Sequence, residues 1–371
     1  MSKEESFVGE LAKTISEPDS SSVSLGYIIV GHSSSESHRM WIAEYEEKAI
    51  SKIKELELDV EKRSVVTVDG SELNTLIIKS STTPEVPDGI YVIRFNGNQE
   101  FAGAIASEMA EDSYNLGCHS ICFDYQGVGE STGEPRSERS LVQAGRAQVQ
   151  ALLDKGVKPE QIILKGHSLG SAVATMLAAE LHKDGKEVAL FNSRSFSSLT
   201  SLVGGWAGKV SQPLARSILR SRGWAMDVVD SWLSIPPKSK ELVFVKSDAI
   251  ITDQGSLYRK LEKYKTTGTE EVKSRLKEEK KYLEIKPHED YKHLATNHVL
   301  PLRMMKYDEG SGSDLFYDFV ARVKREYQEK IIQLRKKEVA ATVSKVRESV
   351  SDKRAVTFPV VPKSKELSLE K

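Results

Sequence analysis

Short apolar runs without polar alternation recur along the chain at residues 90–95, 118–123, 162–164, 188–191 and 242–245. Strands of this kind are covered on both faces, which points to a parallel sheet packed between helices. Residues 100–115, 138–153 and 174–181 read as the intervening helices. Residues 65–68 and 73–78 flank an Asp69-Gly70 turn and read as a hairpin. Residues 282–285 read as the last strand. Upstream, Trp41, Ile42, Tyr45, Ala49, Ile50, Ile53 and Leu56 recur at helical spacing over 37–58, and this helix is expected to pack on the core. The pattern predicts an α/β fold with helices on both faces of the sheet.

Several stretches break that rhythm. Residues 1–37 are polar and serine-rich and read as mobile, with Tyr27-Ile28-Ile29-Val30 a short strand. Residues 196–237 carry three tryptophans and read as a helical cap. Within it, residues 203–235 are either a lid over an apolar pocket or a cap that completes the core. Residues 256–281 form a charged, lysine-rich helical insertion that could lie against anionic lipid headgroups. A final helix over 314–350 has the seam Phe316, Val320, Val323, Tyr327, Ile331, Leu334, continued by Val339, Val343, Val346 and Val350. The main domain is therefore expected over 38–325, an extension of the last helix over 326–356, and a disordered tail over 357–371. An apolar seam on the extension would need a surface, so it is the expected contact for a protein partner.

The 371 residues are 39% hydrophobic and 29% charged, a globular balance. The net charge of −1 gives no electrostatic case for nucleic acid. No apolar run approaches the roughly 20 residues of a membrane-spanning helix. The start lacks a basic segment followed by an apolar one, so no secretory signal is expected. Cys118 and Cys122 share one apolar strand and read as buried free thiols, which suits a reducing, cytoplasmic setting. No His, Cys or Asp cluster has ligand spacing, so neither metal nor cofactor is expected.

Candidate chemistry sits at Gly166-His167-Ser168-Leu169-Gly170, which follows the apolar run 162–164 and precedes a helix. That is the layout of a nucleophile elbow, in which a serine turns sharply out of a sheet. A serine hydroxyl needs a base, and the base needs an acid to fix its tautomer. In this architecture the order is Ser, then acid, then His. Asp248 ends the strand 242–245 and is the expected acid, with Asp253 the alternative. Only His288, His293 and His298 follow Asp248. His298 is favoured because the Pro301-Leu302 segment would anchor its loop, with His288 and His293 as alternative bases. The oxyanion would meet the backbone N–H of Leu169 and of Asn98, with Gln99 next to it as the alternative. The glycines of Asp124-Tyr125-Gln126-Gly127-Val128-Gly129 read as a tight loop at the sheet edge, since no Gly-Lys-Ser/Thr ending makes them a phosphate cradle.

Together with Phe95-Asn96-Gly97-Asn98 and Gly129-Glu130-Ser131, these segments resemble the α/β-hydrolase superfamily over about residues 60 to 330. Asn192-Ser193-Arg194-Ser195-Phe196 and Gly223-Trp224-Ala225-Met226-Asp227 make the chain similar to the chlamydial CHLPS-type hydrolases and to related hydrolases that intracellular bacteria inject into host cells. The resemblance implies an eight-stranded, mostly parallel sheet. It also implies a serine hydrolase of acyl esters or thioesters, lipids among them, and delivery into a host cell. A serine aminopeptidase or amidase on the same scaffold, or a catalytically silent interaction protein, is the alternative. Asn96 stands where many relatives have His.

Overall fold

The computed structural model describes residues 22–32, 35–80, 89–246, 248–279, 281–292, 297–308 and 310–354. Side chains at 205–212, 215 and 346–354 fall outside the description, as do the tail 357–371 and the first 21 residues, both expected to be mobile. The chain divides into residues 1–324 and 325–371.

The first unit is built on one eight-stranded sheet: β1 (Asp59–Val66), β2 (Glu72–Lys79), β3 (Tyr91–Phe95), β4 (His119–Phe123), β5 (Ile162–His167), β6 (Ala189–Ser193), β7 (Lys240–Phe244) and β8 (Leu283–Glu284). Their order is β1-β2-β4-β3-β5-β6-β7-β8. Only β2 runs against its neighbours β1 and β4; all other pairs are parallel. This is the α/β-hydrolase arrangement. Strands β3, β4, β5 and β6 are buried at every position, which is why their sequences show no alternation. Helices Ala102–Leu116, Glu138–Leu153 and Leu169–Lys183 connect them. A second small sheet joins β9 (Lys286–Pro287), β10 (Met305–Tyr307) and β11 (Gly310–Ser311).

Two expectations are corrected, and one left open is decided in part. Residues 22–30 form a helix, not a strand. Its Leu25, Ile29 and Val30 belong to the core, and a Cβ on Gly26 would sit 1.6 Å from the Pro135 carbonyl oxygen. So close an approach leaves room for glycine alone. The helix Glu36–Glu55 has a narrower seam than predicted: Ile42, Ala49 and Ile53 are buried, whereas Trp41, Tyr45 and Leu56 are exposed. Glu46 is buried in their place, with Lys62 Nζ 2.7 Å from one oxygen and Asn74 Nδ2 2.5 Å from the other. Of the two readings of 203–235, the second half fits the cap that completes the core. Trp224, Met226 and Val228 are fully buried, and Trp232 on the helix Val229–Ser234 nearly so. A mobile lid cannot include residues packed so tightly.

The charged insertion folds as the helices Leu257–Thr267 and Glu270–Lys277, with Leu257, Leu261 and Leu276 buried. Several of its cations pair locally, Lys273 with Glu270 and Arg275 with Glu271. The last helix spans Gly312–Arg354. Within the first unit, Phe316 and Phe319 pack edge-on against Phe191 of β6. In the second unit Ile332, Leu334, Val339 and Val343 are exposed. No helix among the described residues is long and apolar enough to cross a membrane.

Two measurements follow. Leu25→Ala or Ile29→Ala should cost about 2–5 kcal/mol in urea denaturation, the range for emptying a filled core position, whereas Val339→Ala should stay within about 0.5 kcal/mol. Equal effects at all three sites would show that the helix Ser22–Val30 is not part of the core. The second concerns His32, which follows that helix. Its Nε2 donates to the Glu100 carbonyl (3.0 Å) and its Nδ1 faces His38 Nε2 (3.1 Å), a pairing that suits the neutral ring. Burial lowers its pKa to about 4. Between pH 6.5 and 4 the unfolded chain then binds the proton and the folded one does not, so acidification removes stability. Relative to His32→Gln, the wild type should lose urea stability across that window; parallel pH curves for the two proteins would refute it.

Candidate active site

Strand β5 ends at His167 and the next helix begins at Leu169, so Ser168 alone must turn the chain. It does so at φ 51° and ψ −118°, a conformation side chains rarely adopt. A Cβ on Gly166 would lie 2.4 Å from the Ser171 Cα, and one on Gly170 2.0 Å from the Phe95 carbonyl oxygen. Neither position accepts another residue. The bend is tied sideways to β6. Ser168 N–H donates to the Ser193 carbonyl (3.0 Å), and the Ser171 hydroxyl accepts from Ser193 N–H (2.9 Å) and donates to its carbonyl (3.0 Å).

His298 Nε2 lies 2.7 Å from Ser168 Oγ, and His298 Nδ1 lies 2.8 Å from Asp248 Oδ2. A carboxylate only accepts, so Nδ1 carries the hydrogen and the Nε2 lone pair faces the serine hydroxyl. The other Asp248 oxygen accepts from the N–H groups of Ile250 (2.9 Å) and Ile251 (2.8 Å). Burial opposes charge on Asp248, but the His298 imidazole and those two N–H groups together hold its carboxyl below the usual carboxylate range. The other candidates lie apart from this chain of bonds. Asp253 pairs with Arg259 in solvent, and His288 is exposed beside Asp290. His293 lies outside the described residues.

The N–H groups of Leu169 and Asn98 make no backbone–backbone turn or loop bond among the described residues. Leu169 opens its helix, where the dipole adds positive potential. Asn98 is held from behind: its side-chain Nδ2 donates to the carbonyls of Ile28 (3.1 Å) and Ile29 (2.9 Å). Gln99 N–H donates to Val30 O (2.9 Å), which removes Gln99 as the alternative oxyanion donor. The C-terminal carbonyls of the helix Ser22–Val30 thus find their partners in this loop. Asn96 does not face the loop's open side. Its Nδ2 donates to Phe123 O (2.8 Å), joining the ends of β3 and β4.

Beneath the histidine loop lies a set of charges that the sequence analysis missed. Arg194 follows β6 at φ 58°, and its buried guanidinium Nη1 donates to the carbonyls of Asn297 (3.2 Å), His298 (2.8 Å) and Leu300 (2.7 Å). His167 Nε2 lies 2.8 Å from the same His298 carbonyl, and its Nδ1 lies 3.0 Å from Glu100 Oε1. Glu100 also binds Arg94 Nη2 (3.0 Å) and Gly97 N–H (2.6 Å). Despite its burial, these partners hold the Glu100 carboxyl far below the usual range. Burial and the nearby Arg194 lower His167 to about 4, so near neutral pH its ring is uncharged and donates only one hydrogen bond. Arg194 directly follows β6, and Glu100 lies in the loop after β3 next to Gln99, a residue already singled out. A charge in that position was the available signal.

The family model described as Chlamydia CHLPS protein (DUF818) matches residues 26–264. The chain is 27% identical over 188 residues to the Multifunctional-autoprocessing repeats-in-toxin of Vibrio cholerae, a stretch covering 49% of this chain and 4% of that protein. It is 25% identical over 146 residues to the Alpha/beta hydrolase domain-containing protein 17B of Xenopus tropicalis, covering 39% of this chain and 49% of that one. The match therefore spans a small part of the toxin and about half of the second relative. Among solved structures, it is similar to an alpha-beta hydrolase from Vibrio vulnificus, with TM-score 0.45, 20% identity and coverage of 61% and 74%. It is also similar to the Alpha/beta hydrolase GrgF from Penicillium, with TM-score 0.46, 16% identity and coverage of 72% and 99%. The family match takes in more than half of the sequence, and the chain belongs to the Chlamydia CHLPS protein family.

Proposed function

We propose that the protein is a serine hydrolase that cleaves an acyl ester or thioester, with Ser168 as nucleophile, His298 as general base and Asp248 as the acid that orients it. One observation carries the reading: the unbroken run of hydrogen bonds from Ser168 Oγ through His298 to Asp248, at 2.7 and 2.8 Å, on a strained strand-to-helix bend. Ser168 Oγ attacks the acyl carbon while His298 Nε2 takes its proton. The negative charge on the former carbonyl oxygen meets the N–H groups of Leu169 and Asn98. When the intermediate collapses, the imidazolium returns the proton to the departing alcohol or thiol, leaving an acyl-enzyme. Water, deprotonated by the same imidazole, then releases the acid. The hydrolase-domain relative supports this reading. The similarity to a toxin supports a role for the protein outside the cell that makes it.

Ser168→Ala should abolish labelling by a fluorophosphonate and lower kcat/KM for p-nitrophenyl esters by about 10⁴–10⁶-fold, and His298→Ala should do the same. Asp248→Asn should lower it by about 10⁴-fold through loss of the Nδ1–H tautomer. His288→Ala should stay within about twofold. A wild type that neither labels nor turns over an ester would sink the proposal. Faster cleavage of aminoacyl-anilides than of esters would move the substrate to the amide class.

A further inference from the structure

The geometry points to Arg194 as the positioning residue of this site: its guanidinium fixes the loop that holds the His298 imidazole between Ser168 and Asp248. The inference rests on the serine-hydrolase reading and extends it to a residue that touches no reacting atom.

Residues 297–300 belong to no regular element, and β6 is separated from them by about a hundred positions in sequence. Among the described residues, no helix or strand places the His298 ring. Three of the carbonyls in that stretch, those of Asn297, His298 and Leu300, converge on one Nη1 of Arg194. The guanidinium is itself held by Nε donating to the Ser193 hydroxyl (3.1 Å). Its backbone is held by Arg194 N–H donating to Val243 O (2.8 Å) on β7, the strand that leads to Asp248. The preceding residue, Ser193, carries the carbonyl that accepts the Ser168 N–H. Two consecutive residues thus connect the nucleophile bend, the acid's strand and the base's loop.

The choice of residue argues for this role. Arg194 is only 5% exposed, and its hydrogen-bond partners are neutral oxygens, not carboxylates. Desolvation opposes a guanidinium that no carboxylate contacts, although Asp248 and Glu100 attract it from further off. Burial lowers even its pKa, to about 10. What arginine offers is donors in two directions at once: Nη1 shares its two hydrogens among the three carbonyls while Nε reaches back to the Ser193 hydroxyl. His167 is the second donor to the His298 carbonyl, but its uncharged ring can serve only one of its two partners at a time. Arg194 keeps that carbonyl fixed whichever partner His167 chooses.

A cavity of ≈ 230 Å³ adjoins Arg194, His167 and Leu300, and it makes a decisive test available. Arg194→Ala should lower kcat for p-nitrophenyl esters about 10²-fold, the effect of a misplaced catalytic group, with KM changed less than about threefold. The rate of fluorophosphonate labelling at Ser168 should fall in parallel. Guanidinium ion at non-denaturing concentration should enter the vacated space and restore kcat at least about tenfold in Arg194→Ala, and should restore nothing in His298→Ala. Arg194→Lys, which keeps one donor group, should fall between alanine and wild type. An Arg194→Ala protein that folds and keeps kcat within threefold of wild type overturns the inference. So does a loss that merely tracks the unfolded fraction and ignores guanidinium. Should Arg194→Ala not fold, a folded Arg194→Lys with wild-type kcat overturns it equally. If the wild type itself neither labels nor hydrolyses esters, the parent reading fails first and takes this one with it.

Discussion

The bend at Ser168 is the constraint on which the rest of the site depends. A left-handed φ at a serine is unfavourable by roughly 1–3 kcal/mol. It persists because neighbouring structure leaves the chain no other path. Gly170 lets the helix pass within contact distance of β3, and Gly166 lets β5 lie against the helix's first turn. The Ser193 carbonyl takes the Ser168 N–H, and the Ser171 hydroxyl bridges back to both backbone groups of Ser193. Each restraint comes from a strand already fixed by parallel pairing on both sides. The sheet makes the bend possible, and the bend presents the hydroxyl to the imidazole.

How much of this was legible in the sequence depended on range. The uninterrupted apolar runs at 90–95 and 162–164 marked buried parallel strands, because burial on both faces erases alternation. The Gly-x-Ser-x-Gly spacing marked the bend because its steric demand is local. The order of Ser168, Asp248 and a later histidine followed from the topology of such a sheet. What local pattern could not rank was which of three histidines met the serine, since that contact spans 130 positions and its loop is held by Arg194. The run Tyr27-Ile28-Ile29-Val30 read as a strand because β-branched residues favour one. It is helical because tertiary contacts prevail over propensity: Leu25 and Ile29 enter the core, and Asn98 and Gln99 take the terminal carbonyls. The tryptophans of the cap left a lid and a core-completing cap equally open, because composition does not say which way a side chain faces. Trp224 and Trp232 fill space in the core.

The loops after β3, β5 and β6 share one feature. Each contains a non-glycine residue with positive φ: Gln99, Ser168 and Arg194. These three strands are consecutive in the sheet, so the strain lies along one edge, at the carboxyl ends where ligands of open α/β sheets bind. Elsewhere such residues are few among those described: Glu57, Met226 and Asp308. Strain that concentrates beside a hydrogen-bonded Ser-His-Asp chain is better explained by positioning than by folding economy, since an unstrained turn would serve stability equally well.

The same reasoning joins residues 28–30 and 297–300 to one site. In the first stretch, the carbonyls of Ile28, Ile29 and Val30 anchor the loop of Asn98 and Gln99, and so set where the Asn98 N–H points. In the second, Arg194 anchors the carbonyls of residues 297–300 and so sets where the His298 ring points. In both cases backbone carbonyls outside the sheet are held by donors projecting from the ends of its strands. Ser168 and the Leu169 N–H are positioned by the sheet and the helix it leads into. The Asn98 N–H and the His298 ring keep their places only while a distant segment remains docked. Under the proposed mechanism, loosening either segment disturbs catalysis before it disturbs the eight-stranded core, because β3, β5 and β6 keep their pairing without them.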